Sequence, residues 1–141
     1  MLLERILLVL FPNTVKSEFA CSQIIRGAMQ GEIDQYGFER LQLNNLADLD
    51  RLVAERFELP PRPYSTDIRS ALELVIWAID HDEYPYFSIF RSEEAAFPDK
   101  PFGVGFAPKM WRYGETAAIG ICLEALYQLK QIEVSSLRGC F

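Results

Sequence analysis

The chain has 141 residues, a formal net charge of -6 at pH 7 and a sequence pI of about 4.8. A chain of this length can bury a self-sufficient core, so we expect a single domain over residues 1–141. The acidic balance disfavours non-specific binding to nucleic acid or to anionic membranes, and we expect neither partner. The three cysteines, Cys21, Cys122 and Cys140, form no CxxC motif, which indicates reduced thiols in a cytoplasm.

The first segment, MLLERILLVLF, contains a short continuous apolar run. It is too short to span a membrane and lacks the basic start of a signal peptide, so it predicts a buried strand over residues 5–11. A helix over residues 15–30 and a weaker strand over residues 38–43 follow. Strand, helix and strand at this spacing predict a parallel crossover unit, which we assign to an N-terminal extension over residues 1–45.

The next helix is predicted over residues 46–57, with Asn44 and Asn45 as its caps. Its inward-facing residues are predicted to be Leu46, Leu49, Leu52, Val53 and Phe57. The segment LPPRPY then excludes helix, because its prolines fix the backbone. Its short length predicts a stiff connector within one domain.

A second amphipathic helix is predicted over residues 66–80, with Ser65 or Thr66 as its cap and Asp67 in its first turn. Helical spacing predicts one buried stripe of Ile68, Ala71, Leu72, Val75, Ile76 and Ile79.

Three strands are predicted next, over residues 86–91, 102–107 and 110–114, as an antiparallel meander. Alternation in the middle strand places Phe102, Val104 and Phe106 on one face. The small residues Gly103, Gly105 and Ala107 leave the other face nearly flat, so a helix or a large aromatic ring can lie close to it.

The last helix is predicted over residues 116–131, with Thr116 as its cap. Its buried face is predicted to contain Ala118, Cys122, Ala125, Leu126 and Leu129. The tail, residues 132–141, shows no clear period, so we expect loose docking or disorder. Together the elements predict an α+β fold, an alpha/beta sandwich whose sheet is mainly antiparallel.

Two segments, PYSTDIRSALELV and ETAAIGICLEALYQL, separated by aromatic strands and preceded by LADLDRLVAERF, resemble the phage ABA sandwich domain. The resemblance covers residues 46–131. The family consists of small proteins of phages and prophages, so the resemblance implies an alpha/beta sandwich core and the cytoplasm of a bacterial host. It brings no activity, cofactor or catalytic residue to this chain.

A run of three carboxylates with the chain's one histidine, His81, closes the second predicted helix: it reads DHDE over residues 80–83. Carboxylates at a helix C-terminus face the negative end of the dipole, and a bound cation would offset that cost. This one contiguous run cannot surround an ion unless other segments contribute, however, and neither EF-hand nor HExxH spacing is present. We therefore expect no metal and no cofactor. With one histidine and no GxSxG or phosphate-binding loop, we also expect no catalytic residues and no enzyme.

The segment PKMWRYGET mixes aromatic and basic residues in an otherwise acidic chain. Its predicted binding residues are Lys109, Met110, Trp111, Arg112 and Tyr113. Aromatic, Met and Arg enrichment is typical of interface hot spots, although a strand with one face packed on the core would show the same pattern. Alternation along a strand sends Trp111 and Arg112 to opposite faces.

Phe97 lies in a long loop, residues 92–101, and is a further candidate binding residue. It could equally fold back as a plug. We expect a non-enzymatic phage or prophage accessory protein that binds another protein, from host or phage, or itself. Alternatives are a virion or assembly component and an acidic host-directed inhibitor that mimics nucleic acid.

Overall fold

The computed structural model describes residues 29–83, 85–93 and 98–137, which form an α+β fold. The elements are β1 (Glu32–Ile33), β2 (Glu39–Leu43), α1 (Leu46–Phe57), α2 (Ile68–His81), β3 (Ser88–Arg91), β4 (Phe102–Ala107), β5 (Met110–Gly114), α3 (Ala117–Lys130) and β6 (Ile132–Leu137). In this part of the chain, three helices accompany two three-stranded sheets, which confirms the predicted fold class.

Some predictions lie outside the described residues: the strand at 5–11, the placement of Phe97, and both terminal cysteines. Of the helix predicted over residues 15–30, only Met29 and Gln30 are described, and they are not helical. The described residues from Gly31 onward belong to one compact unit. A single domain over the whole chain stays a prediction.

The first sheet has the strand order β1-β2-β6. β1 and β2 form an antiparallel pair, whereas β2 and β6 run parallel with a register shift after Leu41. The prediction of a loosely docked or disordered tail is therefore wrong for Ile132–Leu137. Ile132 is fully buried, and Val134 lies opposite Leu41. This strand depends on a partner far away in sequence, which local periodicity does not show.

The second sheet is the predicted meander, in the order β3-β4-β5. One of its faces packs on α3, where Val104 is fully buried and closely approaches Gly120. On the opposite face the ring of Phe90 lies on Gly103, so closely that a Cβ atom at Gly103 would overlap the ring. This confirms, at Gly103, that the glycine face of β4 admits a large aromatic ring.

The central helix is α3, which contacts both other helices, the middle strand β4, and the edge strands β5 and β6. Thr116 caps it as predicted, accepting a hydrogen bond from the Ile119 amide at 3.2 Å. Nine consecutive residues from Ala118 to Leu126 are buried. They include the free thiol of Cys122, whose pKa burial raises, and the carboxyl group of Glu124.

The first helix, α1, buries Leu49, Leu52, Val53 and Phe57, and Asn45 caps it by accepting from the Asp48 amide at 2.8 Å. Arg56 in its last turn donates to both carboxylate oxygens of Glu39, at 2.7 and 2.8 Å. These bonds lower the pKa of Glu39 and tie α1 to β2.

The orientation predicted for α2 is wrong. Its buried residues are Ser70, Ala71, Leu74 and Ala78, whereas four residues of the predicted stripe are exposed, namely Ile68, Leu72, Ile76 and Ile79. The helix carries apolar residues on more than one side, so helical period does not decide which side faces inward. The side with two alanines faces inward, and small side chains permit close helix packing.

The cap predicted for α2 is also wrong. Asp67 is the N-cap, and its carboxylate accepts from the Arg69 amide at 3.3 Å and from the Ser70 hydroxyl at 2.8 Å. Ser65 is buried instead, with its amide donating to Asp50 at 2.7 Å. Beside it, Tyr64 is fully buried, and its hydroxyl donates to the carbonyl of Pro60. The proline connector is therefore anchored to α1.

Candidate recognition site along strand β5

A two-residue turn, Pro108 and Lys109, leads from β4 into β5. Lys109 has a left-handed backbone, with φ of 62°. Residues other than Gly and Asn rarely adopt this region, so Lys109 carries backbone strain at the start of β5. Met110 follows with half of its surface exposed.

The outer face of the second sheet carries an aromatic cluster of Phe90, Trp111 and Tyr113. The ring of Phe90 meets those of Trp111 and Tyr113 edge-on, with centroid distances of 5.6 and 6.1 Å. The indole Nε1 of Trp111 donates to the Tyr113 hydroxyl at 3.0 Å. Trp111 is nevertheless 47% exposed, so the cluster presents an indole ring to solvent.

Arg112 points to the opposite face, toward α3, as strand alternation predicts. Its guanidinium carbon lies 4.4 Å from the centre of the Tyr127 ring, a cation–π contact. Its Nε atom is 3.6 Å from Oε1 of Glu124. That distance permits an ion pair but is too long for a hydrogen bond.

The side chain of Glu124 is only 3% exposed. Burial raises the pKa of this carboxyl group to about 7, against the lowering influence of Arg112, the Gln128 side chain and the Phe106 main chain. Glu124 Oε2 and Arg112 Nε are both buried, and neither makes a hydrogen bond within the described part of the chain. A buried polar atom without a hydrogen bond is uncommon in folded proteins.

A concavity of about 390 Å³ joins these groups. It is lined by Lys100, Met110, Trp111, Arg112, Tyr113, Glu124, Tyr127 and Gln128. Four consecutive residues of β5 and one face of α3 contribute to the lining, so the concavity follows the side of β5 that faces away from β4. The order β3-β4-β5 makes β5 an edge strand of this sheet in the described residues.

The comparisons with known proteins found no match. Neither a protein family, nor a curated protein, nor a solved structure matched this chain. The resemblance of residues 46–131 to the phage ABA sandwich domain therefore stays a prediction, and the site is interpreted from its own geometry.

The structure brings four of the predicted binding residues together at the concavity: Met110, Trp111, Arg112 and Tyr113. Lys109 lies at the adjacent turn and does not line it. Sequence reasoning missed Phe90 and the α3 residues. Glu124 gave the one usable signal, because it is a lone carboxylate within an otherwise apolar helical segment, ICLEAL.

At the end of α2, within residues 80–83, the histidine lies against an aromatic ring. The ring of His81 stacks on Trp77 at 4.1 Å, and Nδ1 lies 2.9 Å from the Trp77 carbonyl oxygen. Lys130 Nζ lies 4.6 Å from the centre of the Trp77 ring. Within residues 29–83, 85–93 and 98–137, no three His, Cys, Asp or Glu side chains are grouped to hold a metal ion.

A second concavity, about 550 Å³, lies between α1 and the proline connector. Its charged groups already have partners: Asp50 accepts from Ser65, and Arg62 pairs with Glu73 at 2.6 Å. It therefore offers mainly apolar surface. It differs in this from the concavity beside β5, where buried polar atoms make no hydrogen bond within the described residues. No helix of the described ranges is long and apolar enough to cross a membrane.

Proposed function

We propose that this protein is a non-enzymatic binding protein that docks an extended segment of a partner protein along the edge of β5. The observation that carries the proposal is the concavity that follows this edge between exposed Trp111 and the Arg112–Glu124 pair. The resemblance described above supports a phage or prophage accessory protein acting in the cytoplasm of a bacterial host, which is part of the proposal.

The edge of a sheet is a template for one more strand. An edge strand presents main-chain N–H and C=O groups on its outer side, and an extended peptide can pair with them. In such complexes the main-chain hydrogen bonds supply affinity, and neighbouring pockets select alternate side chains of the peptide. β5 has a concavity of suitable size on that side.

The exposed side chains of β5 have the composition of a binding hot spot. Met110 is 50% exposed and Trp111 is 47% exposed, so a partner would remove large apolar surfaces from water. Aromatic and Arg side chains carry much of the affinity in many interfaces. The strain at Lys109, at the turn that begins β5, also fits a segment kept for recognition rather than for stability.

The test uses a short peptide of alternating threonine and valine, blocked at both ends, with binding followed by calorimetry. We expect binding that weakens at least tenfold when every amide in the middle of the peptide is N-methylated, because this removes the ladder donors on both edges of the peptide. Trp111→Ala should weaken binding by a similar factor while changing the denaturation midpoint little, because Trp111 is half exposed.

Ile89→Ala is the matched control, since Ile89 is an exposed apolar residue on the opposite edge strand, β3. It should leave binding unchanged. Equal affinity for the N-methylated peptide, or equal losses from both variants, would rule out docking along β5. Light scattering of the protein alone shows whether a second copy already occupies the edge.

A further inference from the structure

One side of α2 carries an exposed apolar stripe. Its four residues follow helical spacing along the whole helix, and each is between 41 and 59% exposed. They are Ile68, Leu72, Ile76 and Ile79. The side of α2 that packs on α3 is a different one and contains Leu74 and Ala78. The stripe is therefore apolar surface that the described part of the fold leaves in contact with solvent.

A concavity of about 220 Å³ adjoins the stripe at the C-terminal end of α2. It is lined by Val75, Ala78, Ile79, Pro85, Tyr86 and Phe87. Together with the stripe it presents on the order of a few hundred Å² of apolar surface, and a patch of this size on a monomeric protein is often a binding site. Stable interfaces bury about 800 Å² per partner, so this surface can form the apolar centre of an interface with a polar rim.

Two charged residues beside the stripe lie at the ends of α2 that disfavour their charges. Arg69 is in the first turn, at the positive end of the helix dipole, and Asp80 is in the last turn, at the negative end. Both are exposed. They are separated by about three helical turns, so they lie on the same flank of the stripe. A partner that brought the opposite charge to each end would offset both costs.

A second copy of the chain meets this condition when its α2 runs in the opposite direction. Two-fold symmetry makes every contact between the copies occur twice. With the two stripes packed together, residues on the same flank of the two helices face each other. The facing pairs are Ile68 with Ile79 of the partner subunit, Leu72 with Ile76 of the partner subunit, and Arg69 with Asp80 of the partner subunit. One axis near the middle of α2 serves all three pairs.

The middle of the charged flank is also compatible with this arrangement. Glu73 lies there, close to the two-fold axis, and would face Glu73 of the partner subunit. Its carboxylate is already paired with Arg62 of its own chain at 2.6 Å. The two copies therefore bring no unneutralised like charges together at the axis.

We propose that the protein forms a homodimer through an antiparallel contact between the α2 helices of two copies. The inference is independent of docking along β5, because none of the described residues that line the concavity beside β5 belongs to α2. The apolar surface is small for a permanent interface, so we expect a dissociation constant of about 10 µM and a monomer below about 1 µM.

The first experiment measures the molar mass of the full chain by light scattering over a hundredfold range of concentration. The wild type should approach twice its monomer mass as concentration rises. Ile76→Glu places a charge in the middle of the stripe and should raise the dissociation constant at least tenfold. Circular dichroism should show that this variant keeps its helices, because Ile76 is exposed within one chain. Ile33→Glu, at an exposed residue of β1, is the matched control and should leave the dimer unchanged.

The second experiment tests the antiparallel orientation by exchanging charges at low ionic strength, where exposed charges are least screened. Arg69→Glu should weaken the dimer at least fivefold, because it brings two carboxylates together at both ends of the contact. Asp80→Arg should weaken it similarly by bringing two guanidinium groups together. The double variant restores opposite charges and should dimerise as tightly as wild type. Losses that multiply in the double variant would refute the antiparallel contact.

A wild-type monomer at every concentration would overturn the proposal, and the stripe would then be covered by a different protein or by another segment of this chain. A dimer that Trp111→Ala dissociates and Ile76→Glu does not would place the contact at β5 and would overturn it as well. Failure of the docking function is measured separately. Ile76→Glu should bind the threonine–valine peptide as tightly as wild type does, and a dimer that binds no peptide would leave the α2 contact standing while docking fails.

Discussion

Replacing the buried carboxyl group of Glu124 by a carboxamide should stabilise the protein strongly at pH 8 and only slightly at pH 5. The ordinary pKa of a glutamate is near 4.5, and burial raises that of Glu124 to about 7. As pH rises above 4.5, the Glu124 carboxyl group ionises in the unfolded chain before it does so in the folded protein, and the free energy of unfolding falls. The penalty is complete above pH 7 and absent below 4.5.

The size of this penalty follows from the two pKa values. A tenfold change in proton affinity corresponds to about 1.4 kcal/mol, so the native state loses about 3 kcal/mol at pH 8. Glu124→Gln removes the ionisation while keeping a similar shape. We therefore expect the variant to be more stable than wild type by about 2 to 4 kcal/mol at pH 8, and by less than about 1 kcal/mol at pH 5.

Urea denaturation of both proteins between pH 5 and 8 measures the difference directly. Comparing two variants cancels the titration of all other groups, including Glu39, whose lowered pKa acts only at lower pH. Glu115→Gln, an exposed substitution, should give parallel curves at every pH. If Glu124→Gln also ran parallel to wild type, the carboxyl group would titrate normally, and the argument from its burial would be wrong.

Leu74→Ala should cost about 2 to 5 kcal/mol of unfolding free energy, because Leu74 is fully buried, whereas Ile76→Ala, at a residue 57% exposed, should cost less than about 1.3 kcal/mol. If urea denaturation showed that the two variants lose similar unfolding free energy, the buried stripe predicted from sequence would be right after all. Gly103→Ala should cost about 0.5 to 1.5 kcal/mol by pushing the partly exposed Phe90 ring from its rotamer, and Phe90→Ala should relieve that cost in the double variant; additive losses would refute the contact. Tyr64→Phe removes a buried hydroxyl donor and should cost about 0.5 to 1.5 kcal/mol; an unchanged denaturation midpoint would contradict the hydrogen bond seen here.

Local patterns predicted most element positions in the described region. The bounds of α1, β4 and β5 agree with their predicted residues, because capping residues, glycine alternation and the Pro108 turn act over a few neighbours. The strand at Ile132–Leu137 and the face of α2 were mispredicted for a shared reason. Both depend on which distant segment packs against the element. An apolar residue such as Ile76 fits a helical apolar pattern whether its side of the helix is buried or exposed.

The candidate site was half predictable. The composition of β5 indicated a binding segment, since Trp111 and Arg112 are adjacent in an acidic chain. The residues opposite them come from α3, and nothing in the sequence shows that Glu124 lies across from Arg112. Its burial, and hence its raised pKa, arises only when the helix packs on the sheet.

The parallel pairing of β2 with β6 sets the order in which this protein can be completed during synthesis. Within the described residues β2 is the middle strand of its sheet, and its second neighbour, β6, is made roughly ninety residues later. On the ribosome, the edge of β2 that pairs with β6 has no partner until β6 has emerged. A nascent chain stalled before Ile132 should thus be cut by proteases within β2, and that sensitivity should end once β6 clears the exit tunnel.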